Sequence, residues 1–272
     1  MRICDLYQSG KTLLSMEVFP PKDGVLPLSE LAAHNPAFIS VTVHAGGNVD
    51  KTSAIAAEIQ GSHGIPSMAH LTCVNSTRAS VRSALALIRE RGITNVLALR
   101  GDRVAGAEQS DYRYAEELIR DIEVPAFCIG AACYPEGHIE SDDPESDLGY
   151  LKRKQDAGAS FFISQLFFDN AVFLRFAERA KARGITIPVS AGVMPVLSRG
   201  QIEKMIFLCG ASLPARVVRL LHRWQDSPDD LRKAGLELAG EQVRDLIREG
   251  ADGVHIYTMN RPEVALWTFQ GR

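Results

Sequence analysis

Arg89-Glu90-Arg91-Gly92-Ile93-Thr94-Asn95-Val96-Leu97-Ala98-Leu99 is the stretch that decides the fold. A charged helix end runs into a glycine, and an apolar strand begins shortly after it. Glycine supplies the left-handed residue that ends a helix, and the short gap feeds a buried strand. The same pattern returns at Lys154–Ser164, Lys181–Ala191 and Ile247–Tyr257. Between these units, Val81, Leu85 and Ile88 share one helical face. So do Phe173, Phe176 and Ala180, with Asp169 as N-cap and Gly184 as the closing glycine. Leu236, Val243 and Ile247 belong to a further helix closed by Gly250.

Working outward, eight apolar runs emerge: Leu13–Phe19, Phe38–Val43, Pro66–Leu71, Asn95–Leu99, Phe127–Cys133, Phe161–Phe167, Pro188–Met194 and Gly253–Met259. Repeated βα units with apolar strands argue for a parallel sheet. Eight of them argue for one closed (β/α)8 TIM barrel over residues 1–272, with a doubly wound open sheet as the competitor. Most runs end on a polar or reactive group: Glu17, Thr42, His70, Arg100 with Asp102, Tyr134 with Glu136, Gln165, and Asn260 with Arg261. In a parallel barrel these ends share one mouth, where such barrels do chemistry. The stretch Pro135–Asp147 is expected to be a long loop at that mouth.

The totals narrow the class. A net charge of −3 gives no broad attraction for nucleic acid or acidic membranes. No run is long enough to span a bilayer, and the N-terminal residues lack the apolar core of a signal peptide. Five cysteines, none in a Cys-x-x-Cys pair, point to reduced thiols in the cytoplasm.

Ser9-Gly10-Lys11-Thr12 resembles the end of a phosphate-binding loop, but Asp5 stands where its first glycine belongs, so it is a turn. No Gly-x-Gly-x-x-Gly occurs, so a dinucleotide would bind without a Rossmann fingerprint. Glu17 lies inside an apolar strand, where a carboxylate is costly unless it is paired or functional. Burial would raise its pKa and suit it to general-acid work. His70 is expected to be a hydrogen-bonding partner, not a metal ligand, because no His or Cys stands at metal spacing nearby. Arg100-Gly101-Asp102 offers a cation, a close backbone approach and a carboxylate, or else an ion pair that caps a loop. Lys152-Arg153-Lys154 is either a solvated basic face or a phosphate-capturing pair of cations. Gln165 could present a donor and an acceptor to a planar heterocycle, while Asp169 caps the next helix.

Glu17-Val18-Phe19-Pro20-Pro21, His70-Leu71-Thr72-Cys73, Ala98-Leu99-Arg100-Gly101-Asp102, Ala132-Cys133-Tyr134-Pro135-Glu136, Leu151-Lys152-Arg153-Lys154, Gln165 through Asp169, and Tyr257-Thr258-Met259-Asn260-Arg261 occur in an order that resembles the bacterial methylenetetrahydrofolate reductase family. The resemblance covers nearly the whole chain. It implies FAD, reduction of 5,10-methylenetetrahydrofolate to 5-methyltetrahydrofolate, and NADH or NADPH sharing the flavin face with the folate in ping-pong order. It further implies that Glu17 is the general acid and that Asp102 lies near flavin and pterin. Gln165, Arg261 and Met205 would meet the folate. Thr42, His70, Arg100, Gly101, Tyr114, Ala115, Ala132, Tyr134, His138, Asp147, Arg153 and Lys154 would hold FAD. Tyr150 and Met205 depart from the enteric pattern, which has a small amide and a phenylalanine there. Homo-oligomers are expected on the same ground. Two other readings stand beside it: a flavin-free folate- or pterin-binding one-carbon transfer barrel, and a non-catalytic flavin-binding subunit of a reductase complex.

Overall fold

A computed structural model of the chain describes residues 1–43, 48–102, 110–123, 126–141 and 143–270. Among these residues each apolar run becomes a strand: β1 Leu13–Val18, β2 Ile39–Val41, β3 Ser67–Thr72, β4 Asn95–Leu99, β5 Cys128–Cys133, β6 Phe161–Ser164, β7 Val189–Val193 and β8 Gly253–Tyr257. Every neighbouring pair is parallel, and β8 pairs with β1, so the sheet closes into a barrel. The open doubly wound sheet is thereby excluded.

Several runs are longer than their strands. Phe19, Val43, Phe167, Met194 and Met259 lie past the last paired residues, because the ladder stops where each chain turns outward into a loop. β3 is the exception and continues beyond Leu71 to Thr72. The expected loop over Pro135–Asp147 is also cut short, since a helix starts at Pro144 and runs to Ala157. Asp143 caps it by accepting from the Glu145 and Ser146 N–H groups, and Pro144 is pre-shaped for the first helical position.

The helix Arg78–Glu90 buries Val81, Leu85 and Ile88, and Asn170–Ala182 buries Phe173, Phe176 and Ala180. Asp169 caps the latter through a 3.0 Å bond from the Ala171 N–H. Gly92 and Gly184 follow the two helices in left-handed geometry, at φ 75° and 81°. Among the described residues no helix is long and apolar enough to cross a membrane.

Strand alternation sorts the side chains into two layers. Along β1, Leu14, Met16 and Val18 join the buried layer under the helices. Ser15 and Glu17 take the opposite face, inside the barrel. The N-terminal end of the barrel is closed by the chain's first residues. Ile3, in the short helix Ile3–Leu6, packs with Phe38, Met68, Leu97, Cys128, Phe161 and Ile163. Its N–H donates to Asn95 Oδ1 at 2.8 Å, and Tyr7 Oη meets Ser190 Oγ at 2.7 Å. Gly130 makes room for this plug, since a Cβ there would lie 2.7 Å from the Phe161 ring. The chemistry is therefore confined to the other end.

Candidate active site

At the C-terminal ends of the strands lies a cavity of about 1330 Å³. Glu17, Thr42, His70, Arg100, Gly101, Asp102, Tyr114, Ala115, Ala132, Tyr134, His138, Asp147, Lys154, Gln165 and Met205 all line it. These residues come from the first seven βα units, Met205 from the helix that follows β7, and the eighth unit contributes Tyr257.

The floor is built around Glu17. Its side chain is about one-fifth exposed, enough to reach the cavity. Its backbone is clamped from β8 and the segment beyond. Thr258 Oγ1 donates to the Glu17 carbonyl at 2.6 Å, and Asn260 exchanges two bonds with Phe19, at 3.0 and 2.7 Å. Met259 and Asn260 both hold φ near +55° to make that clamp, a strained conformation of the kind that clusters at functional sites. Two imidazoles flank the carboxyl group: His70 Nε2 lies 3.6 Å and His255 Nε2 3.8 Å from Glu17 Oε2.

Burial pushes the His70 imidazole down to about 4, against the pull of the Glu17 carboxylate. The folded protein keeps this ring neutral where the unfolded chain, with an ordinary histidine near 6.5, takes up a proton. Stability contributed by His70 is therefore complete above about pH 6.5 and falls as the pH drops toward 4. Between pH 7 and 5 the loss is expected to be about 2 kcal/mol. Denaturant titrations at both values check this. The His70→Gln variant, which does not titrate, should lose measurably less, and an equal slope would exclude the assignment.

The wall opposite carries cations and aromatic rings. Arg100 forms a two-pronged pair with Glu140, at 2.6 and 2.9 Å. Tyr134 meets His138 edge-on at 4.7 Å, and the His138 N–H donates to Asp147. Burial raises the Tyr134 hydroxyl above its ordinary range and pushes the Cys133 thiol up to about 12, so both remain protonated. Lys154 is drawn inside, where Nζ donates to the Ala132 carbonyl at 2.8 Å and burial lowers its pKa. At the rim, Tyr114 and Tyr150 stack with centres 6.2 Å apart.

Two of the expected binding residues lie off the cavity wall. Arg153 follows Arg-to-Lys order on a helix, where consecutive side chains point about 100° apart. With Lys154 turned in, Arg153 is turned out, over the Tyr150 ring at 4.4 Å and paired with Glu116 at 3.1 Å. Arg261 sits beyond the Met259–Asn260 turn, exposed, and pairs with Glu263 at 3.3 Å. Glu136 is likewise engaged elsewhere, with both carboxylate oxygens 3.1 Å from the Ser212 N–H. Among the described residues no group of three or more His, Cys, Asp or Glu could hold a metal ion.

Some residues of the site escaped the sequence reading. His255 and Tyr257 were inside a recognised strand, and their alternation with Val254 and Ile256 was the available signal for an inward face. Tyr257 reaches past Gly192 of β7 to donate to the Ser164 carbonyl of β6 at 2.7 Å. Glu140 and Glu116 come from sequence-distant segments and left no local trace.

A methylenetetrahydrofolate reductase family profile matches residues 2–269. The chain belongs to the methylenetetrahydrofolate reductase family. The 5,10-methylenetetrahydrofolate reductase of Escherichia coli is 33% identical over 94% of this chain and 89% of its own length. Methylenetetrahydrofolate reductase (NADH) 1 of Zea mays is 34% identical over 97% of the chain, and a probable methylenetetrahydrofolate reductase (NADPH) of Caenorhabditis elegans is 34% identical over 99%. The chain spans about half of those two longer relatives, 49% and 45%. Among solved structures, a Clostridium thermocellum protein that binds two copies of 5-methyl-5,6,7,8-tetrahydrofolic acid superposes with a TM-score of 0.66 over 98% of both chains at 13% identity. That likeness shows the shared barrel fold of this reductase family member.

Proposed function

We infer that this chain reduces 5,10-methylenetetrahydrofolate to 5-methyltetrahydrofolate in the cytoplasm, with FAD as its hydride carrier and NADH or NADPH as reductant, and that it self-associates as the family resemblance implies. The observation that carries the reading is Glu17, a strand carboxyl clamped by backbone bonds at the bottom of a cavity whose walls also present Asp102 and Gln165. A carboxyl group in that position can protonate a weakly basic ring nitrogen while water is kept out by the substrate itself.

The cavity fits a flavin dinucleotide. Lys154 is a half-buried cation at the cavity wall, with Asp147 and Glu116 acting on it from beyond ion-pair distance. A charge so placed is costly unless an anion joins it, and a pyrophosphate is such an anion. Tyr114 and Tyr150 offer aromatic faces at the rim for a planar base. When bound, the flavin would supply hydride transfer, which no side chain can perform. The protein's share is to hold and protonate. Thr42, His70, Ala132, Tyr134, His138 and Asp147 would frame the cofactor, with Arg100 positioned by Glu140. Gln165 would orient the folate, since its Oε1 is fixed by the Leu166 N–H at 2.9 Å. Met205 would cover the shared face with a polarisable thioether. Asp102, exposed at the end of β4, would set the charge near flavin and pterin.

The purified protein should be yellow. Mixed anaerobically with NADH or NADPH it should bleach, and added methylenetetrahydrofolate should restore the colour. A colourless protein that cannot be reconstituted with FAD would refute the reading. Lys154→Met should bind FAD about 10- to 100-fold more weakly, the range of one lost charge-assisted hydrogen bond, as read by equilibrium dialysis. Unchanged affinity would remove Lys154 from the cofactor site.

A further inference from the structure

The chain's first residues bring two cysteines together at the closed end of the barrel, away from the cavity. Asn95 of β4 arranges this. Its Oδ1 accepts from the Ile3 N–H at 2.8 Å, and its Nδ2 donates to the Met1 carbonyl at 3.1 Å and the Ser67 carbonyl at 2.9 Å. In the parallel register Asn95 stands opposite Cys128, the first residue of β5. A segment held by Asn95 at Met1 and Ile3 sets its next residue, Cys4, against Cys128. The Cys4 N–H donates to Cys128 Sγ at 3.2 Å.

The two thiols differ in what can reach them. Cys128 is fully buried and packs with Ile3, Phe38, Met68, Leu97 and Phe161. Burial first, and then the neighbouring Cys4 thiol, push its own thiol up to about 12. The Cys4 N–H and the Arg2 guanidinium pull the other way, and Arg2 Nε is buried with no hydrogen-bond partner among the described residues. Cys4 is half-buried, and its Sγ makes a long bond to Asp5 Oδ1 at 3.8 Å. The Cys4 Cα lies one N–Cα bond beyond the donating nitrogen, so it is no more than about 4.7 Å from the Cys128 sulfur. That approach suits a disulfide, which asks for about 4.4–6.8 Å between Cα atoms. Turning the Cys4 side chain about its Cα–Cβ bond costs only the long bond to Asp5.

We propose that Cys4 and Cys128 form a redox-responsive pair, reduced at rest and closed by a low-molecular-weight disulfide, and that the bridge staples the N-terminal plug to β5. Cys4, the accessible thiol, gives its proton to solvent and attacks one sulfur of the oxidant, whose S–S bond breaks to release a thiolate. Cys128 then attacks Cys4 Sγ in the mixed disulfide. The Cys4–Cys128 bond forms, and the second half of the oxidant leaves with the Cys128 proton. Two cysteine thiols are oxidised, and one small disulfide is reduced to two thiols. Excess small thiol reverses the exchange, so the pair follows the surrounding thiol poise. The pair lies outside the candidate active site, and the proposal does not depend on the reading of the cavity.

The flavin-loaded protein, incubated with oxidised glutathione, provides the test. Remaining thiols are blocked with N-ethylmaleimide before unfolding, and the peptides are mapped by mass spectrometry. A Cys4–Cys128 crosslink is expected, distinguished from one to Cys133 by fragmentation between the two positions and lost on adding dithiothreitol. Cys128→Ser should stop at the mixed disulfide and keep glutathione on Cys4. The bridge ties residues 124 apart in sequence, so the oxidised wild type should unfold about 5 °C or more above the reduced protein. The proposal is overturned by a wild-type protein that holds glutathione on Cys4 without closing the bridge, joins Cys4 to another cysteine, or leaves both thiols open to the maleimide. A bridged protein that melts no higher overturns the stapling. If Cys128→Ser does not fold, the wild-type peptide map decides alone.

Discussion

Glu17→Gln is expected to slow reoxidation of the reduced flavin by methylenetetrahydrofolate by about 10²- to 10⁴-fold, the usual contribution of a positioned general acid. The same variant should still bleach with NADH or NADPH within about twofold of the wild-type rate, because hydride transfer from a nicotinamide requires no proton from the protein. The amide keeps the shape of the side chain and loses only the proton, so the clamp made by Thr258 and Asn260 on the backbone is untouched. Stopped-flow traces of the two half-reactions, recorded separately, make the comparison. A variant that turns over fully with the folate would end the assignment of Glu17, and one slow in both half-reactions would assign it to cofactor binding instead.

Gly192→Ala is expected to destabilise the protein by about 3 kcal/mol or more, at the upper end of what overpacking costs. A Cβ at this position would lie 2.2 Å from the Ser164 carbonyl oxygen and 2.9 Å from the Tyr257 ring. The carbonyl is backbone and cannot swing aside. It is also the acceptor of the Tyr257 hydroxyl, so the added methyl attacks the bond that ties β8 to β6 over β7. Thermal unfolding should show a midpoint lowered by roughly 6–12 °C for a chain of this size. Gly200→Ala, where nothing lies within 4 Å of the added carbon, serves as the control and should change little. Equal midpoints for the two variants would show that the barrel interior relaxes freely at Gly192.

The barrel was legible because its signal is local and repeated. A helix end, a glycine and an apolar run lie within a dozen residues of one another, and the eight runs became the eight strands. Strand ends were less legible, since Phe19 and Met259 are as apolar as the residues inside the ladder. What ends pairing is the departure of the neighbouring strand, which a single chain segment does not encode. The helix start at Pro144 was written in Asp143-Pro144-Glu145-Ser146, a cap followed by proline, and was masked by the acidic, proline-containing loop around it.

The site divided in the same way. Glu17, Gln165 and Asp102 stand out at strand ends, where the parallel fold brings them to one cavity. Lys154 and Arg153 could not be ranked from composition, because only the direction of a helix face separates the half-buried cation from the surface one. Arg100 stood between a site cation and a loop-capping pair with Asp102, and is held by Glu140, forty residues away. His255 was not singled out within its strand and lies beside the acid. Each of these was decided by a long-range pairing.

The plug formed by Ile3 has a bearing on how this protein could be altered. Leu97 and Ile163 belong both to the cluster that Ile3 completes and to the lining of the cavity. One sheet of side chains thus separates the anchored beginning of the chain from whatever occupies the mouth. A designer who trims either residue to enlarge the binding cup also loosens the stopper on the far side. Ligand scope and structural integrity are set here by the same atoms.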